Sequence, residues 1–202
     1  MIDARILPLQ HKLLCPIARL LVGLGVRADQ VTIVGFVLGV GALPLLATEH
    51  YLWALALILS NRLLDGIDGQ VARLTRTTDR GAFLDIALDF MFYALIPLGF
   101  AFADSAANAL AAAVLLAAFV GTGSSFLAFS LMAEKRGLHA KYFPSKGIYY
   151  LGGLTEGAET IALFVAFCVW PHLFTLLAYC FAFACALTIL SRWLQGWRML
   201  AD

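Results

Sequence analysis

Four aspartates lie in the stretch Asn61-Arg62-Leu63-Leu64-Asp65-Gly66-Ile67-Asp68-Gly69-Gln70-Val71-Ala72-Arg73 and, after a short loop, in Gly81-Ala82-Phe83-Leu84-Asp85-Ile86-Ala87-Leu88-Asp89. Both runs otherwise resemble membrane helices, in which a central Asp costs about 2.5–3.5 kcal/mol. At about 100° per residue, Asp65 and Asp68 share one helix face, and Asp85 and Asp89 share another. The short loop at 74–80 makes the two helices antiparallel neighbours. We therefore expect all four carboxylates to converge in one cavity.

The composition of the whole chain places these helices in a membrane. Hydrophobic residues fill 62% of the 202 positions and charged residues only 13%, whereas soluble domains have about 45–50% apolar and about 25% charged residues. This composition excludes a soluble globular domain and a disordered chain. The net charge of +1, without a basic tract, argues against nucleic acid as a partner. The chain is predicted to be an all-α membrane protein that contacts membrane lipids.

The apolar runs predict six transmembrane helices preceded by an amphipathic helix on the membrane interface. Residues 1–27 have apolar positions at helical spacing among basic residues, and we interpret them as the interfacial segment. Residues 28–202 form the predicted six-helix bundle, and residues 1–202 a single domain. The spans are expected near residues 30–48, 51–73, 81–103, 105–133, 147–170 and 173–194.

Basic residues predict the orientation of the bundle. Of the 14 Lys and Arg residues, all except Arg62 lie at one set of helix ends or in the loops there. The loops near 48–50, 104–107 and 171–172 contain no Lys or Arg. Because basic loops stay in the cytoplasm, both termini and the aspartate cavity are expected on the cytoplasmic side of an inner membrane.

The acidic cavity predicts a metal site. Four ionised carboxylates would repel one another strongly, and two divalent cations would balance their charge. Oxygen ligands favour Mg²⁺, Mn²⁺ or Ca²⁺ over zinc. Gly69, Ala72 and Gly81 leave open backbone beside the acidic faces, and Arg73 could hold a phosphate through two hydrogen bonds. Because paired divalent ions assist displacement at phosphorus, the stretch indicates metal-assisted phosphoryl chemistry.

The stretch also resembles the signature of the CDP-alcohol phosphotransferase family, D-x-x-D-G-x-x-A-R followed by a spacer and G-x-x-x-D-x-x-x-D. Every fixed position is filled, with a spacer of seven residues: Asp65, Asp68, Gly69, Ala72, Arg73, Gly81, Asp85 and Asp89. The resemblance implies a six-helix fold with an N-terminal interfacial helix, a homodimer, and a bacterial inner-membrane member of the family whose acceptor is unknown.

The resemblance further implies a reaction and a role for each site residue. An acceptor alcohol would attack the β-phosphorus of a CDP-alcohol, expected to be CDP-diacylglycerol, and release CMP in phospholipid synthesis. The ligands of two Mg²⁺ or Mn²⁺ ions would be Asp65, Asp68, Asp85 and Asp89. Asp89 would also act as the general base. The nucleotide or its phosphates would be bound by Gly69, Ala72, Arg73, Thr78 and Thr32.

One position departs from the family pattern. Relatives often begin the first span with Pro-Asn-x-x-Thr, whereas this chain has Ala28-Asp29-Gln30-Val31-Thr32. Thr32 fits the pattern. Asp29 is expected either to contact the nucleotide or to serve as the N-cap of the first spanning helix.

Two residues are candidates for an acceptor pocket, Lys146 and Glu156. Lys146 belongs to a basic group, with Lys135, Arg136 and Lys141, that could bind a phosphorylated polyol or could only fix the topology. A glutamate near the cytoplasmic start of the fifth span is costly. We expect Glu156 to face the cavity, where it would help to bind the acceptor or hold Arg73.

Three other interpretations remain open. The aspartates could form buried ion pairs with Arg62, Arg73, Arg76 and Arg80, although this explains neither the aligned glycines nor the spacing of both carboxylate pairs. A divalent-cation transporter would need polar residues in both leaflets, whereas residues near 40–58 and 95–115 are almost wholly apolar. A membrane prenyltransferase also binds diphosphates through aspartates and Mg²⁺, but usually has more spans and two separate acidic motifs.

Overall fold

The structure is a computed structural model that describes residues 3–137 and 153–201, with side chains from residue 13 onward. Most of the described residues are helical and none of them lies in a strand, which confirms the predicted all-α class. A short 3₁₀ turn, Pro171–Leu173, separates the last two helices. The α-helices are α1 Asp3–Gly23, α2 Ala28–Ala47, α3 Tyr51–Leu74, α4 Asp79–Ala103, α5 Ser105–Lys135, α6 Gly157–Val169 and α7 Phe174–Met199.

Four segments among the described residues are long and apolar enough to cross a membrane: Ala28–Ala47, Asp79–Ala103, Ser105–Lys135 and Pro171–Met199. Helix α3 has 24 residues, but its second half carries charged side chains. Helix α6 begins only at Gly157 and has 13 residues, because residues 153–156 are not helical. The remainder of the predicted fifth span, residues 147–152, lies outside the described residues.

Glycines bring α2 into close contact with both α3 and α4. A Cβ atom added at Gly35 would lie 3.1 Å from the Cβ of Leu64 on α3. One added at Gly39 would lie 2.7 Å from the Phe92 ring on α4 and 3.0 Å from the Asn61 amide nitrogen on α3. Helices α3 and α4 make little direct backbone contact. The sequence predicted them as antiparallel neighbours around a cavity; the structure adds that α2 packs on both and that the cleft lies between them.

The core of the bundle is aromatic and lies at the end where α4 finishes and α7 begins. Phe100 stacks on Phe174 with ring centroids 4.7 Å apart, and Phe167 lies 4.6 Å from Phe174. All three side chains are fully buried. The polar residues of α3 and α4 lie toward the opposite end of the bundle from this aromatic core.

Helix α1 packs against α3 on a different face from the aspartates. Leu14 and Ala18 are buried with Ile67 and Val71 of α3. The contact is close at Gly66, where an added Cβ would lie 2.7 Å from the Leu14 side chain. Helix α1 therefore rests on the same turn of α3 that carries the acidic residues.

Candidate active site

The reversal between α3 and α4 places their acidic turns in one region. Helix α3 ends at Leu74, and α4 begins at Asp79 with Thr78 as its N-cap. The Thr78 hydroxyl accepts a hydrogen bond from the Gly81 backbone N–H at 3.0 Å. A helix start fixed in this way sets the rotation of α4, so that the turn after Gly81 faces α3.

All four aspartates line a single cleft between the helices. Helix α2 contributes Thr32, Gly35 and Phe36, helix α3 contributes Asn61, Arg62, Asp65 and Asp68, and helix α4 contributes Asp85, Leu88 and Asp89. The expected convergence of the carboxylates is therefore present in the structure.

Three of the carboxylates are close enough to share one cation. Asp65, Asp68 and Asp85 each offer an oxygen, and these oxygens all lie within 4.8 Å of one another. Ligands on opposite sides of a Mg²⁺ ion lie about 4.2 Å apart, since each bond is about 2.1 Å long. The spacing and the all-oxygen chemistry fit Mg²⁺ or Mn²⁺ after small side-chain movements.

A threonine of α2 fixes one of these carboxylates. The Thr32 hydroxyl donates a hydrogen bond of 2.6 Å to Oδ2 of Asp68. Asp68 is only 5% exposed, so this bond restricts an already enclosed side chain. The sequence predicted a nucleotide contact for Thr32, and the structure places its hydroxyl on a predicted metal ligand.

The fourth carboxylate is paired with an arginine. Nη2 of Arg62 lies 2.7 Å from Oδ1 of Asp89, and Nη1 of Arg62 lies 3.7 Å from Oδ2 of Asp65. From the sequence, Arg62 was expected only as one of four arginines that could form buried ion pairs with the aspartates. This pairing could have been predicted from one feature: Arg62 is a single basic residue within an apolar stretch, three residues before Asp65.

The first turn of α2 lies beside the start of α4. The N-cap of α2 is Arg27, whose backbone N–H donates to the Gln30 side chain at 2.9 Å. The expectation that Asp29 serves as the N-cap is thus wrong, because the helix begins earlier. Oδ2 of Asp29 lies 3.8 Å from Nε of Arg80, and Oδ1 lies 3.2 Å from the position of a Cβ added at Gly81.

The other residues predicted to bind the nucleotide are not among the described residues that line the cleft. Arg73 is exposed and folds over Gly69, where an added Cβ would be 3.4 Å from its Nη2 atom. Ala72 is half-buried on the same helix, and Thr78 is exposed in the loop. These residues, predicted to bind the nucleotide, lie on the last turns of α3 and in the loop after it, and we call them the rim of the cleft.

Comparisons with known proteins fit this geometry. The sequence model of the CDP-alcohol phosphatidyltransferase family matches residues 26–194. The chain belongs to this family. It is 50% identical over 200 residues to Inner membrane protein YnjF of Escherichia coli (strain K12), covering 99% of this chain and 97% of that protein.

Solved structures of a phosphatidylinositol phosphate synthase (PgsA1) from Mycobacterium tuberculosis have the same fold. The structure with manganese and citrate has a TM-score of 0.73 at 25% identity, covering 91% of this chain and 88% of that chain. The structure with CDP-DAG bound also has a TM-score of 0.73, at 24% identity, covering 92% and 94%. Family membership and this match show that the protein is a CDP-alcohol phosphotransferase.

Glu156, one of the two acceptor candidates, is not among the described residues that line the cleft. Glu156 is buried and caps α6: its Oε1 accepts the Gly153 N–H at 3.1 Å, and its own N–H donates to Glu159 at 3.1 Å. These hydrogen bonds at the start of α6 offset part of the cost of burying a glutamate. Lys146, with Lys141, lies outside the described residues. Arg136 at the end of α5 donates to the Ala201 carbonyl at 3.3 Å.

Proposed function

We propose that the protein transfers a substituted phosphate group from a CDP-lipid, preferably CDP-diacylglycerol, to the hydroxyl of a small acceptor alcohol, and that the transfer requires Mg²⁺ or Mn²⁺. The observation that carries the proposal is the set of Asp65, Asp68 and Asp85 oxygens within 4.8 Å of one another, in a cleft that also contains Asp89. Support comes from the family signature and from the related synthase, whose structures contain manganese or CDP-DAG.

The proposed reaction is the one that the family resemblance implies, and the cleft supplies groups for each part of it. The acceptor oxygen forms a bond to the β-phosphorus, and the bond between that phosphorus and the bridging oxygen of the diphosphate breaks. CMP leaves with the bonding electron pair, and the acceptor proton passes to a carboxylate oxygen of Asp89. Divalent metal, which we expect as two ions, would neutralise the diphosphate and stabilise the charge that develops on its oxygens.

The residues of the chain hold the reactants in place. Asp65, Asp68, Asp85 and Asp89 are the proposed metal ligands, and Thr32 orients Asp68. Gly69 and Ala72 let the diphosphate approach the α3 backbone, since neither has a side chain beyond Cβ. Arg73 is exposed at the rim, where its guanidinium can hold a phosphate through two parallel hydrogen bonds. Thr78 would add a hydroxyl contact from the loop.

We propose that α2 to α7 are six spans of an inner membrane and that α1 lies on the cytoplasmic interface. One side of α1 packs on α3, while Leu13 and Leu20 of α1 are more than 60% exposed, as expected for a helix immersed in lipid headgroups. Helix α6 is only about 20 Å long at 1.5 Å per residue. We propose that residues 153–156, which are not helical, lengthen this span. Irregular backbone of this kind is tolerated at membrane depth when protein surrounds it.

The hydroxyl of Thr188 on α7 supports this extension. It accepts hydrogen bonds from the backbone N–H groups of Leu154 and Thr155, at 3.1 and 3.2 Å, and from the Thr155 hydroxyl at 3.0 Å. A Cβ atom added at Gly153 would overlap the Thr188 side chain. The segment is therefore attached to α7 through polar groups that would otherwise face an apolar surrounding.

The acceptor and the oligomeric state complete the proposal. Both termini and the cleft would face the cytoplasm, where small polar acceptors are soluble. We keep Glu156 and Lys146 as proposed residues of the acceptor side and expect a homodimer, as the family resemblance implies. Light scattering of the protein in detergent, corrected for bound detergent, would measure the number of copies in the assembly.

The decisive experiment is a reconstituted transfer assay. Purified protein is incubated with CDP-diacylglycerol and a panel of acceptors, including glycerol phosphate, inositol phosphate and serine, in Mg²⁺, Mn²⁺ or EDTA. CMP and the lipid product are both measured. We expect equal amounts of CMP and lipid product with one acceptor, and none with EDTA. Metal flux into liposomes without CMP would instead favour a transporter, and turnover in EDTA would contradict metal dependence.

A further inference from the structure

We propose that Arg62 is a positioning residue that competes with metal for Asp89, so that without nucleotide the protein holds one divalent ion at Asp65, Asp68 and Asp85. The inference rests on the metal dependence proposed above. It assigns to Arg62 two effects of opposite direction, a weaker affinity for metal and a faster transfer step.

The contact between Arg62 and Asp89 is short and enclosed. The two side chains meet at 2.7 Å, and the Arg62 side chain is only 12% exposed. Asp89 lines the same cleft as the other aspartates, but the group of carboxylates close enough to share an ion contains Asp65, Asp68 and Asp85. A buried guanidinium keeps its charge, so it acts as a counter-cation that belongs to the protein.

The guanidinium is held from several sides before any ligand binds. Its Nε donates to Oδ1 of Asn61 at 2.7 Å, and Asn61 in turn donates to the Gly35 carbonyl at 2.9 Å. The Phe92 ring lies under it, with its centroid 4.4 Å from Cζ, and the Tyr93 ring is 5.2 Å away. Contacts with α3 and α4, and the bond from Asn61 to α2, therefore determine where the guanidinium points, and the position of Oδ1 of Asp89 follows.

Two consequences follow for the proposed reaction. A cation within hydrogen-bond distance of Asp89 lowers the negative potential that a metal ion experiences in the cleft. The same bond fixes one oxygen of Asp89 and leaves the carboxylate in a defined orientation toward the acceptor. Small errors in such an orientation cost up to about 100-fold in rate.

The experiment measures Mn²⁺ binding and turnover separately. Free Mn²⁺ is titrated by electron paramagnetic resonance with protein in detergent, without nucleotide, for wild type, Arg62→Gln, Arg62→Met and Arg62→Lys. We expect Arg62→Gln and Arg62→Met to bind Mn²⁺ about threefold more tightly or to bind an additional ion. In the same variants kcat should fall at least about tenfold, with the KM for the CDP-lipid changed less than threefold.

The lysine variant and a surface variant are the matched controls. Arg62→Lys keeps the charge but cannot contact Asn61 and Asp89 at once, so Mn²⁺ affinity should stay within twofold of wild type while kcat falls. Arg80→Gln removes the same charge from a side chain that is 87% exposed, and should change neither quantity. Size-exclusion profiles and melting temperatures identify variants that fail to fold, and damage to the fold would lower affinity and kcat together.

The outcomes separate the two proposals. If wild type turns over with metal but both neutral variants at Arg62 bind Mn²⁺ equally or more weakly, the inference about Arg62 is wrong and the proposed function stands. If wild type binds no Mn²⁺ and releases CMP in EDTA, the metal dependence and the inference are both overturned. An unchanged kcat in the neutral variants would also contradict the positioning role.

Discussion

The hydroxyl of Thr32 on α2 and the carboxylate of Asp68 on α3 are joined by a hydrogen bond of 2.6 Å between residues that are 36 positions apart in the chain. This bond connects a helix without acidic residues in the cleft to the proposed metal ligands. Helix α2 therefore does more than pack against α3 and α4: Thr32 orients Asp68, a proposed metal ligand on α3.

Replacement of Thr32 by Val should therefore weaken metal binding and slow the transfer. The two side chains have nearly the same shape, so the loss reports the hydroxyl, whose shorter bond is to Asp68 and whose longer one, at 3.1 Å, is to the Ala28 carbonyl. Outer partners of metal ligands typically contribute about 10–100-fold to affinity or activity. We expect a fall of that size in Mn²⁺ affinity, measured by titration. Thr32→Ser keeps the hydroxyl and should retain most activity, and an equal loss in Ser and Val variants would contradict this role.

Replacement of Asp85 by Asn should abolish most CMP release. Asp85 belongs to the group of three carboxylates that can share an ion, and an amide carries no charge to hold it. We expect at least a 100-fold loss of kcat, about the effect of removing one electrostatic contact to a transition state. The matched control is Asp79→Asn, since Asp79 is exposed at the start of the same helix. Similar losses in both variants would point to damage of α4 instead.

Much of the helix pattern could be predicted because uncharged runs in a membrane protein have few alternatives. Helix α4, expected at 81–103, is observed at Asp79–Ala103. The convergence of Asp65 and Asp68 with Asp85 followed from helical periodicity and a short loop. These features depend on spacing along one or two helices, which a sequence displays directly.

The features that were missed depend on contacts between distant parts of the chain. Gly35 and Gly39 allow α2 to join α3 and α4, and no periodicity in a single helix reveals that third partner. The pairing of Arg62 with Asp89 depends on the burial of Arg62 and on its contacts with the Phe92 and Tyr93 rings. The hydrogen bond that the Glu156 side chain accepts from the Gly153 N–H was also not foreseen, because the sequence shows the cost of a buried glutamate but not its partners.

Replacement of Gly39 by Ala should destabilise the protein and reduce its activity. The new Cβ would lie 2.7 Å from the Phe92 ring and 3.0 Å from the Asn61 amide, and Asn61 holds Arg62. Forcing extra volume into a packed interior costs about 1–3 kcal/mol. We expect a lower melting temperature in detergent and a lower kcat. Gly23→Ala is the control, because nothing lies within 4 Å of its added Cβ. A melting temperature equal to that of wild type would contradict the close approach of α2.

Replacement of Arg73 by Gln tests whether the rim of the cleft binds the diphosphate. Hydrogen bonds to charged groups contribute about 1.5–3 kcal/mol, so the KM for the CDP-lipid should rise by about 10–100-fold. Because Arg73 is exposed and folds over Gly69, the substitution should leave the melting temperature within the error of wild type. Arg76→Gln removes the same charge from the exposed loop and serves as the control. If both variants raise KM equally, a general attraction of the basic surface for the donor explains the effect, and no specific contact at Arg73 is needed.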